Sequence, residues 1–153
     1  MEKNAAIIHY CQYQERCHYE VKNKLYELGF NTSQVNEQIA ELIETDLLNE
    51  ERFSRAFARG RFRLKKWGRV KIKQHLRQRK ISDYCIKKAF TEIDDTEYET
   101  TLCYLAQKKQ EELSKEKNLM ILKDKIYNYL LQKGYESDII NNWLKENIKT
   151  NSR

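Results

Sequence analysis

The chain has 153 residues, of which 34% are charged and 40% hydrophobic, and its formal net charge is +6. It has no proline and only four glycines, which disfavours strand-rich folds with many tight turns and favours an all-α protein. No apolar stretch approaches the roughly 20 residues of a membrane span, and residues 1–17 lack the pattern of a signal peptide. We therefore expect a cytoplasmic, helical protein that does not enter the membrane.

Three segments along the chain repeat one apolar pattern. In each, a central leucine (Leu25, Leu76 or Leu130) has an apolar residue four positions before it and others five, ten and fourteen positions after it. Spacing of four is helical, and each repeat leaves room for an earlier helix, over roughly residues 4–17, 49–66 and 97–115. The sequence therefore predicts an all-α fold of three tandem three-helix units, nine helices in all, elongated and able to curve.

The repeat also predicts where the units and some of their helices end. The predicted units are residues 1–47, which are acidic, residues 48–95, which are strongly basic, and residues 96–153. Gly29 and Gly134 stand where a helix would end in a left-handed conformation, and Ser82 and Ser137 are predicted N-caps of the helices that follow. Units this small must share stability with their neighbours or tolerate motion.

Residues 52–80 form a run with thirteen basic side chains and no acid, whereas the rest of the chain has 16 basic and 23 acidic residues. Clustered Lys and Arg gain from releasing the counterions condensed on phosphate, so the run predicts a polyanionic partner. An acidic protein groove is the other partner that fits, and a solvated helix face is the alternative without a partner.

A helix over 52–67 would separate this run into faces. One face is cationic, and the neighbouring face, which includes Leu64 and Trp67, is predicted to pack in the core. Phe62 lies beside the cationic face and is a candidate either for partner contact or for packing. The predicted binding surface is a ridge made by this helix and the next: Arg52, Arg55, Arg59, Phe62, Arg63, Lys66, Arg69, Lys73 and Arg77.

Catalysis finds little support in the sequence. There is no glycine-rich phosphate loop, no His-Glu-x-x-His motif and no nucleophile elbow. The four cysteines form no Cys-x-x-Cys pair, and the group His9, Cys11, Cys17 and His18 reads as core thiols and surface imidazoles rather than as a zinc site. We expect no enzyme, no metal and no cofactor.

Three stretches of the central unit resemble the signature of the RecX family of bacterial RecA regulators. Leu48–Phe57 is similar to Leu-x-Asp-x-x-Phe-Ala-x-x-Phe, Trp67–Ile72 to Gly-x-x-x-Ile, and Leu76–Ile81 to Leu-x-x-Lys-Gly-Ile. The chain shows three departures from the pattern: Glu50 for Asp, Ser54 for Ala, and Arg79-Lys80-Ile81 for Lys-Gly-Ile. The three-unit, nine-helix organisation also looks like that family.

The resemblance implies a non-enzymatic modulator, and we expect a monomer because nothing in the sequence demands a dimer. It would bind the groove of the RecA–DNA filament and suppress ATP hydrolysis, strand exchange and co-protease activity. The partners would be the RecA filament and the DNA inside it, single-stranded or duplex. Whether the ridge meets phosphates or acidic RecA side chains stays open at this point. The alternative is a general DNA-binding helical module that acts without a recombinase.

Overall fold

The computed structural model describes residues 2–149, except for the side chain of Glu2. Within that range the chain forms nine α-helices and no strand. In chain order these are α1 Glu2–Tyr13, α2 His18–Glu27, α3 Thr32–Glu44, α4 Glu50–Lys65, α5 Arg69–Gln78, α6 Asp83–Phe90, α7 Asp95–Glu112, α8 Leu119–Lys133 and α9 Ser137–Asn147. The predicted all-α class is confirmed. Met1 and residues 150–153, at the ends of the predicted first and third units, lie outside the described residues.

The apolar repeat marks the core, as its period predicts. Val21, Leu25 and Val35 are fully buried, as are Ile72 and Leu76 in the middle of the chain. The equivalent residues of the last repeat, Ile126, Leu130, Tyr135 and Ile140, are also fully buried. The same hydrogen bond ends the second helix of each repeat. It runs from the N–H of Phe30, Ile81 or Tyr135 to the carbonyl of the central leucine, at 3.1, 3.2 and 3.1 Å respectively.

Helix starts and ends follow local chemistry. Asn31 and Asp94 accept hydrogen bonds from the N–H groups of Gln34 and Glu97, and Ser82 accepts from Cys85, as predicted. Gly29 and Gly134 have φ of +95° and +101°, so both predicted left-handed ends are confirmed. Ser137 is the predicted N-cap of α9, but that position lies one residue earlier, at Glu136.

Backbone contacts divide the chain into two compact units. The first, unit A, holds residues up to Arg59 together with His75–Glu92. The second, unit B, holds Gly60–Gln74 together with residues from Ile93 onward. Helices α4 and α5 each contribute residues to both units. The three units predicted from the repeat, with two boundaries, are a different division, and they stay a prediction.

The apolar face predicted for α4 is wrong in its C-terminal half. Phe53 and Phe57 are buried as expected, but Leu64 is 85% exposed and Phe62 is only 2% exposed. Phe62 packs in unit B against Tyr98, with ring centroids 5.8 Å apart, and Tyr98 in turn packs against Tyr135 at 5.0 Å. The prediction assumes one apolar face for the entire helix, whereas its two parts belong to different units.

The three departures from the family pattern each have a structural place. Glu50 accepts a hydrogen bond of 3.0 Å from the N–H of His18. Ser54 is fully buried, and its hydroxyl donates to the carbonyl of Glu50 at 2.7 Å, so the extra polar atom is satisfied. Lys80 keeps a left-handed conformation, with φ of +61°, although it has a side chain.

Candidate nucleic-acid interface

The arginines of the basic run in unit A are held by acids from outside the run. Arg55 donates to Glu51 and Glu92, both at 3.0 Å, and Arg59 donates to the other oxygen of Glu92 at 2.7 Å. These hydrogen bonds, from Arg59 first and then Arg55, lower the pKa of Glu92 below its usual range. The two arginines and two carboxylates therefore form a neutral group.

Other arginines in unit A are compensated in the same way. Arg52 contacts Glu15 at 2.8 Å and Asp46 at 3.1 Å, and Arg77 contacts Asp83 at 3.3 Å. Arg79 lies 3.7 Å from Glu20 and stacks on the ring of Phe57, with its guanidinium carbon 4.9 Å from the centroid. The cationic face predicted for the helix over 52–67 is thus neutralised at Arg52, because tertiary contacts supply the acids that the run lacks. Arg77, on the next helix, is paired in the same way.

Arg69 in unit B anchors the start of α5. Its guanidinium contacts Asp95 at 2.7 Å and Glu136 at 3.1 Å and lies over the ring of Tyr98 at 3.9 Å. Its own N–H donates to the Tyr98 hydroxyl at 2.9 Å, and that hydroxyl donates to Glu136. A guanidinium enclosed in this way has a structural role. Arg63, by contrast, is 55% exposed, and its ion pair with Glu97 is long, at 4.0 Å.

A different group of cations in unit B lacks acidic partners. We call it the lysine cluster, and it consists of Lys65, Lys66, Lys71 and Lys133. Within residues 2–149, none of these four ammonium groups forms an ion pair with a carboxylate. The Lys65 and Lys71 nitrogens lie 5.7 and 4.6 Å from the ring centroid of Trp67, which the guanidinium of Arg61 also approaches at 5.5 Å. Trp67 is only partly buried, although the sequence predicts it to be a core residue.

A backbone contact holds the lysine cluster together. The turn after α4 packs against the end of α8: Gly68 N–H donates to the Lys133 carbonyl at 2.8 Å, and Val70 N–H to the Gly134 carbonyl at 2.9 Å. A Cβ on Gly68 would overlap the Gly134 carbonyl, so only glycine permits this approach. The helix itself ends earlier, since Lys66 takes the left-handed conformation with φ of +58°. Gly68 is thus required for docking rather than for stopping the helix.

The positive charges of neighbouring lysines act on Lys133. Burial, and then the positive charges of Lys71 and Lys66, lower the pKa of Lys133. The Lys133 ammonium also donates to the carbonyl of Lys65 at 3.3 Å. The Tyr135 hydroxyl holds the backbone of Lys66 by donating to its carbonyl at 2.9 Å. The Lys66 ammonium nitrogen lies 5.8 Å from the centroid of the Tyr104 ring. Unit B therefore presents concentrated, uncompensated positive charge.

The predicted binding residues consequently have different structural roles. Arg52, Arg55 and Arg69 are held by acids, whereas Arg59, Arg63 and Arg77 keep 44%, 55% and 57% of their side chains exposed. Lys66 belongs to the lysine cluster, and Lys73 has no ion pair within residues 2–149. Phe62 is buried, so its ring does not offer the exposed surface that contact with a partner would need.

Sequence reasoning missed the role of Lys133, which lies outside the basic run and joins the cluster through tertiary structure. It also left Lys65 and Lys71 out of the predicted surface and placed Trp67 in the core. The signal that was available is the spacing of Lys65, Trp67 and Lys71 around the turn at Gly68. The described residues contain no group of three or more His, Cys, Asp or Glu arranged to hold a metal, and none of their helices is long and apolar enough to cross a membrane.

Comparison with known proteins places the chain in a family. Residues 49–89 match the family model of the second three-helix domain of RecX, and residues 96–144 match that of the third. The chain belongs to the RecX family. A curated relative, the regulatory protein RecX of Clostridium perfringens strain 13, is 33% identical over 123 residues, which are 80% of this chain and 57% of the relative.

Further RecX proteins show the same similarity. The regulatory protein RecX of Lactococcus lactis strain IL1403 is 31% identical over 134 residues, covering 86% of this chain and 50% of that protein. The chain thus spans between half and three-fifths of the length of these curated relatives. The crystal structure of RecX from Lactobacillus salivarius superposes with a TM-score of 0.84 at 28% identity, covering 95% of this chain and 94% of that one.

Proposed function

We propose that this protein is a cytoplasmic, monomeric regulator of the RecA recombinase. It binds in the groove of the RecA–DNA filament and inhibits ATP hydrolysis, strand exchange and co-protease activity without catalysing a reaction of its own. Membership of the RecX family supports the choice of partner. The observation that carries the proposal is the lysine cluster, because uncompensated cations held on a rigid turn suit a partner that carries dense negative charge.

The exposed arginines extend the proposed surface in each unit. Arg59 and Arg77 belong to unit A and Arg63 to unit B. Within residues 2–149 each has a single acidic partner, which a phosphate or a carboxylate of the filament can replace. Charge-assisted hydrogen bonds of this kind are readily exchanged between anions. We assign Lys66 and Lys73 to the same role, and Arg52, Arg55 and Arg69 to holding the helices that carry it.

The test is DNA-dependent ATP hydrolysis by RecA from a related bacterium, with this protein added well below the RecA concentration. We expect hydrolysis to fall at substoichiometric amounts, since one protein in the groove affects many subunits of a filament. Replacing Arg59, Arg63 and Arg77 by Glu should remove most of the inhibition. The matched control replaces three exposed lysines outside the run, Lys22, Lys87 and Lys115, by Glu. Full inhibition by the arginine variant would refute the assigned surface.

A second function, DNA binding without a recombinase, is favoured by the same lysine cluster, which needs only phosphates. In that case affinity for bare DNA would be high and would fall steeply with salt. The expected slope of log affinity against log salt is about −0.9 per duplex phosphate contact or about −0.7 per single-strand contact. Unchanged ATP hydrolysis combined with tight binding to bare DNA would favour this function over filament regulation.

A further inference from the structure

The turn between α4 and α5 has a feature that the predicted ridge does not explain. Three separate parts of the chain bring cations to one place in unit B: the end of α4, the start of α5 and the end of α8. Lys65 and Lys71 approach the same Trp67 ring, and Lys133 reaches the Lys65 carbonyl from a position 68 residues away. Most arginines of the basic run pair with acids. The lysines around the partly exposed Trp67, by contrast, form no ion pair with a carboxylate within residues 2–149.

We infer that the lysine cluster and Trp67 form a contact site for the phosphodiester backbone of DNA, centred on the turn at Gly68 rather than on the arginine face of α4. The inference rests on the proposed function, since it names the part of this protein that would touch the DNA within the filament.

The ring of Trp67 organises the site. A cation within about 6 Å of an aromatic centroid is attracted to the face of the ring, and tryptophan attracts most strongly. Lys65 and Lys71 are therefore both drawn to this ring, with their ammonium nitrogens 5.7 and 4.6 Å from its centroid. Side chains already gathered in this way lose less conformational entropy when an anion binds.

The charge balance favours an anion with closely spaced charges. In the free protein, Lys133 is destabilised in its charged form by burial and by Lys71 and Lys66. A phosphate between these groups relieves that repulsion and is attracted by all of them. Duplex DNA carries one charge per ~1.7 Å of axis, so successive phosphates can satisfy several clustered ammonium groups at once.

The backbone supplies the rigidity that such a site needs. The hydrogen bonds from Gly68 and Val70 to the end of α8 fix the three contributing segments, and the Tyr135 hydroxyl fixes the carbonyl of Lys66. The groups do not have to be assembled by the ligand. Arginines of unit A differ in this respect, because they must first give up carboxylate partners such as Glu92.

The experiment uses the intrinsic fluorescence of the full chain. Its two tryptophans are Trp67 and Trp143, so a Trp143→Phe variant reports on Trp67 alone. This variant is titrated with a 30-nucleotide oligo-dT and with a duplex of the same length, while anisotropy of a labelled oligonucleotide measures binding independently. We expect a saturable change in Trp67 emission whose midpoint agrees with the anisotropy.

Charge reversal then locates the contact. In the same background, Lys65→Glu with Lys71→Glu should weaken oligonucleotide binding at least about tenfold and reduce the single-strand salt slope by about 1.4, or 0.7 for each lost contact. The matched control, Lys115→Glu with Lys117→Glu, makes the same charge change in unit B at two exposed lysines outside the cluster and should alter neither quantity. Far-UV circular dichroism verifies that both variants keep their helices.

Three results would overturn the inference. The first is a Trp67 emission that stays unchanged, whether or not the oligonucleotide binds, and the second is equal weakening of binding by the two double variants. The third is equally tight binding of polyglutamate, which would indicate an acidic protein partner. The RecA hydrolysis assay separates this inference from the proposed function. If the wild-type protein inhibits RecA and the Lys65/Lys71 variant inhibits it equally, the regulator proposal stands and the DNA site fails. If the wild type does not inhibit but Trp67 responds to DNA, the site stands and the regulator proposal fails.

Discussion

Replacing Lys80 by glycine should stabilise this protein, although it removes a side chain. Lys80 has φ of +61° at the end of α5, where the other two repeats have Gly29 and Gly134 in the same conformation. In each case the following N–H donates to the carbonyl of the repeat's central leucine. The left-handed region costs a residue with a Cβ roughly 1–2 kcal/mol, and this cost is absent for glycine. Lys80 is exposed and forms no ion pair within residues 2–149, so little is lost with its side chain.

The expected gain is smaller than that cost, because glycine also increases the entropy of the unfolded chain. That entropy offsets roughly 0.5–1 kcal/mol of the gain from removing the strain. We therefore expect Lys80→Gly to raise the free energy of unfolding by about 0.5–1 kcal/mol. For a chain of this size the melting temperature should rise by about 1–4 °C.

The assay is urea unfolding followed by circular dichroism at 222 nm, together with thermal melting. The matched control is Lys22→Gly, which makes the same substitution at an exposed position inside α2 and should destabilise by about 1 kcal/mol. A Lys80→Gly variant that is no more stable than the wild type, while the control loses stability as expected, would refute the reasoning.

Three further variants test the contacts that hold the site. Gly68→Ala should destabilise by about 1–3 kcal/mol in urea unfolding, because the new Cβ overlaps the Gly134 carbonyl; Gly60→Ala, with nothing within 4 Å, is the control and should be neutral or stabilising. Tyr135→Phe should cost about 1–2 kcal/mol by leaving the Lys66 carbonyl without its donor, and a variant as stable as the wild type in the same unfolding experiment would contradict this. Glu92→Gln should make the free energy of unfolding depend less on pH in acid. Because the pKa of Glu92 is lowered in the folded protein, the contribution of its carboxylate to stability is complete above about pH 5 and disappears as the pH falls through the folded pKa. Melting from pH 7 to pH 3 measures this, and equal slopes for the two proteins would exclude a role for Glu92.

The pairing of these arginines with Glu92 would also affect how strongly the proposed regulator binds an anion. Glu92 pairs with both Arg55 and Arg59 in the free protein, so an anion that binds there must compete with it. The lysine cluster has no such competitor among the described residues. If both surfaces meet the filament, we expect the lysine cluster to set the first contact and the arginines to add affinity afterwards. Glu92→Gln should then strengthen inhibition of RecA, which the same hydrolysis assay can measure alongside the melts.

The sequence by itself determined the helical class, the repeat and most of the core. These depend on local properties: apolar spacing of four makes a helix with one buried face, and a glycine at a helix end permits positive φ. Leu25, Leu76 and Leu130 could therefore be identified as equivalent core residues without a structure, and all three are fully buried. The RecX motifs around Phe53 and Gly68 could be read in the same way, and the family matches confirm them.

Only the tertiary structure decided which charges stay uncompensated and that the ring of Trp67 is partly exposed. The acid that Arg55 and Arg59 share, Glu92, lies 37 and 33 residues away along the chain, so the absence of acids within the run said little about pairing. Leu64 is exposed rather than buried, and Phe62 packs in the core, because α4 contributes to two units, which a single helical wheel cannot represent. Lys133 reached the cluster because Gly68 allows two backbones to touch, and such long-range contacts leave no periodic signal in the sequence.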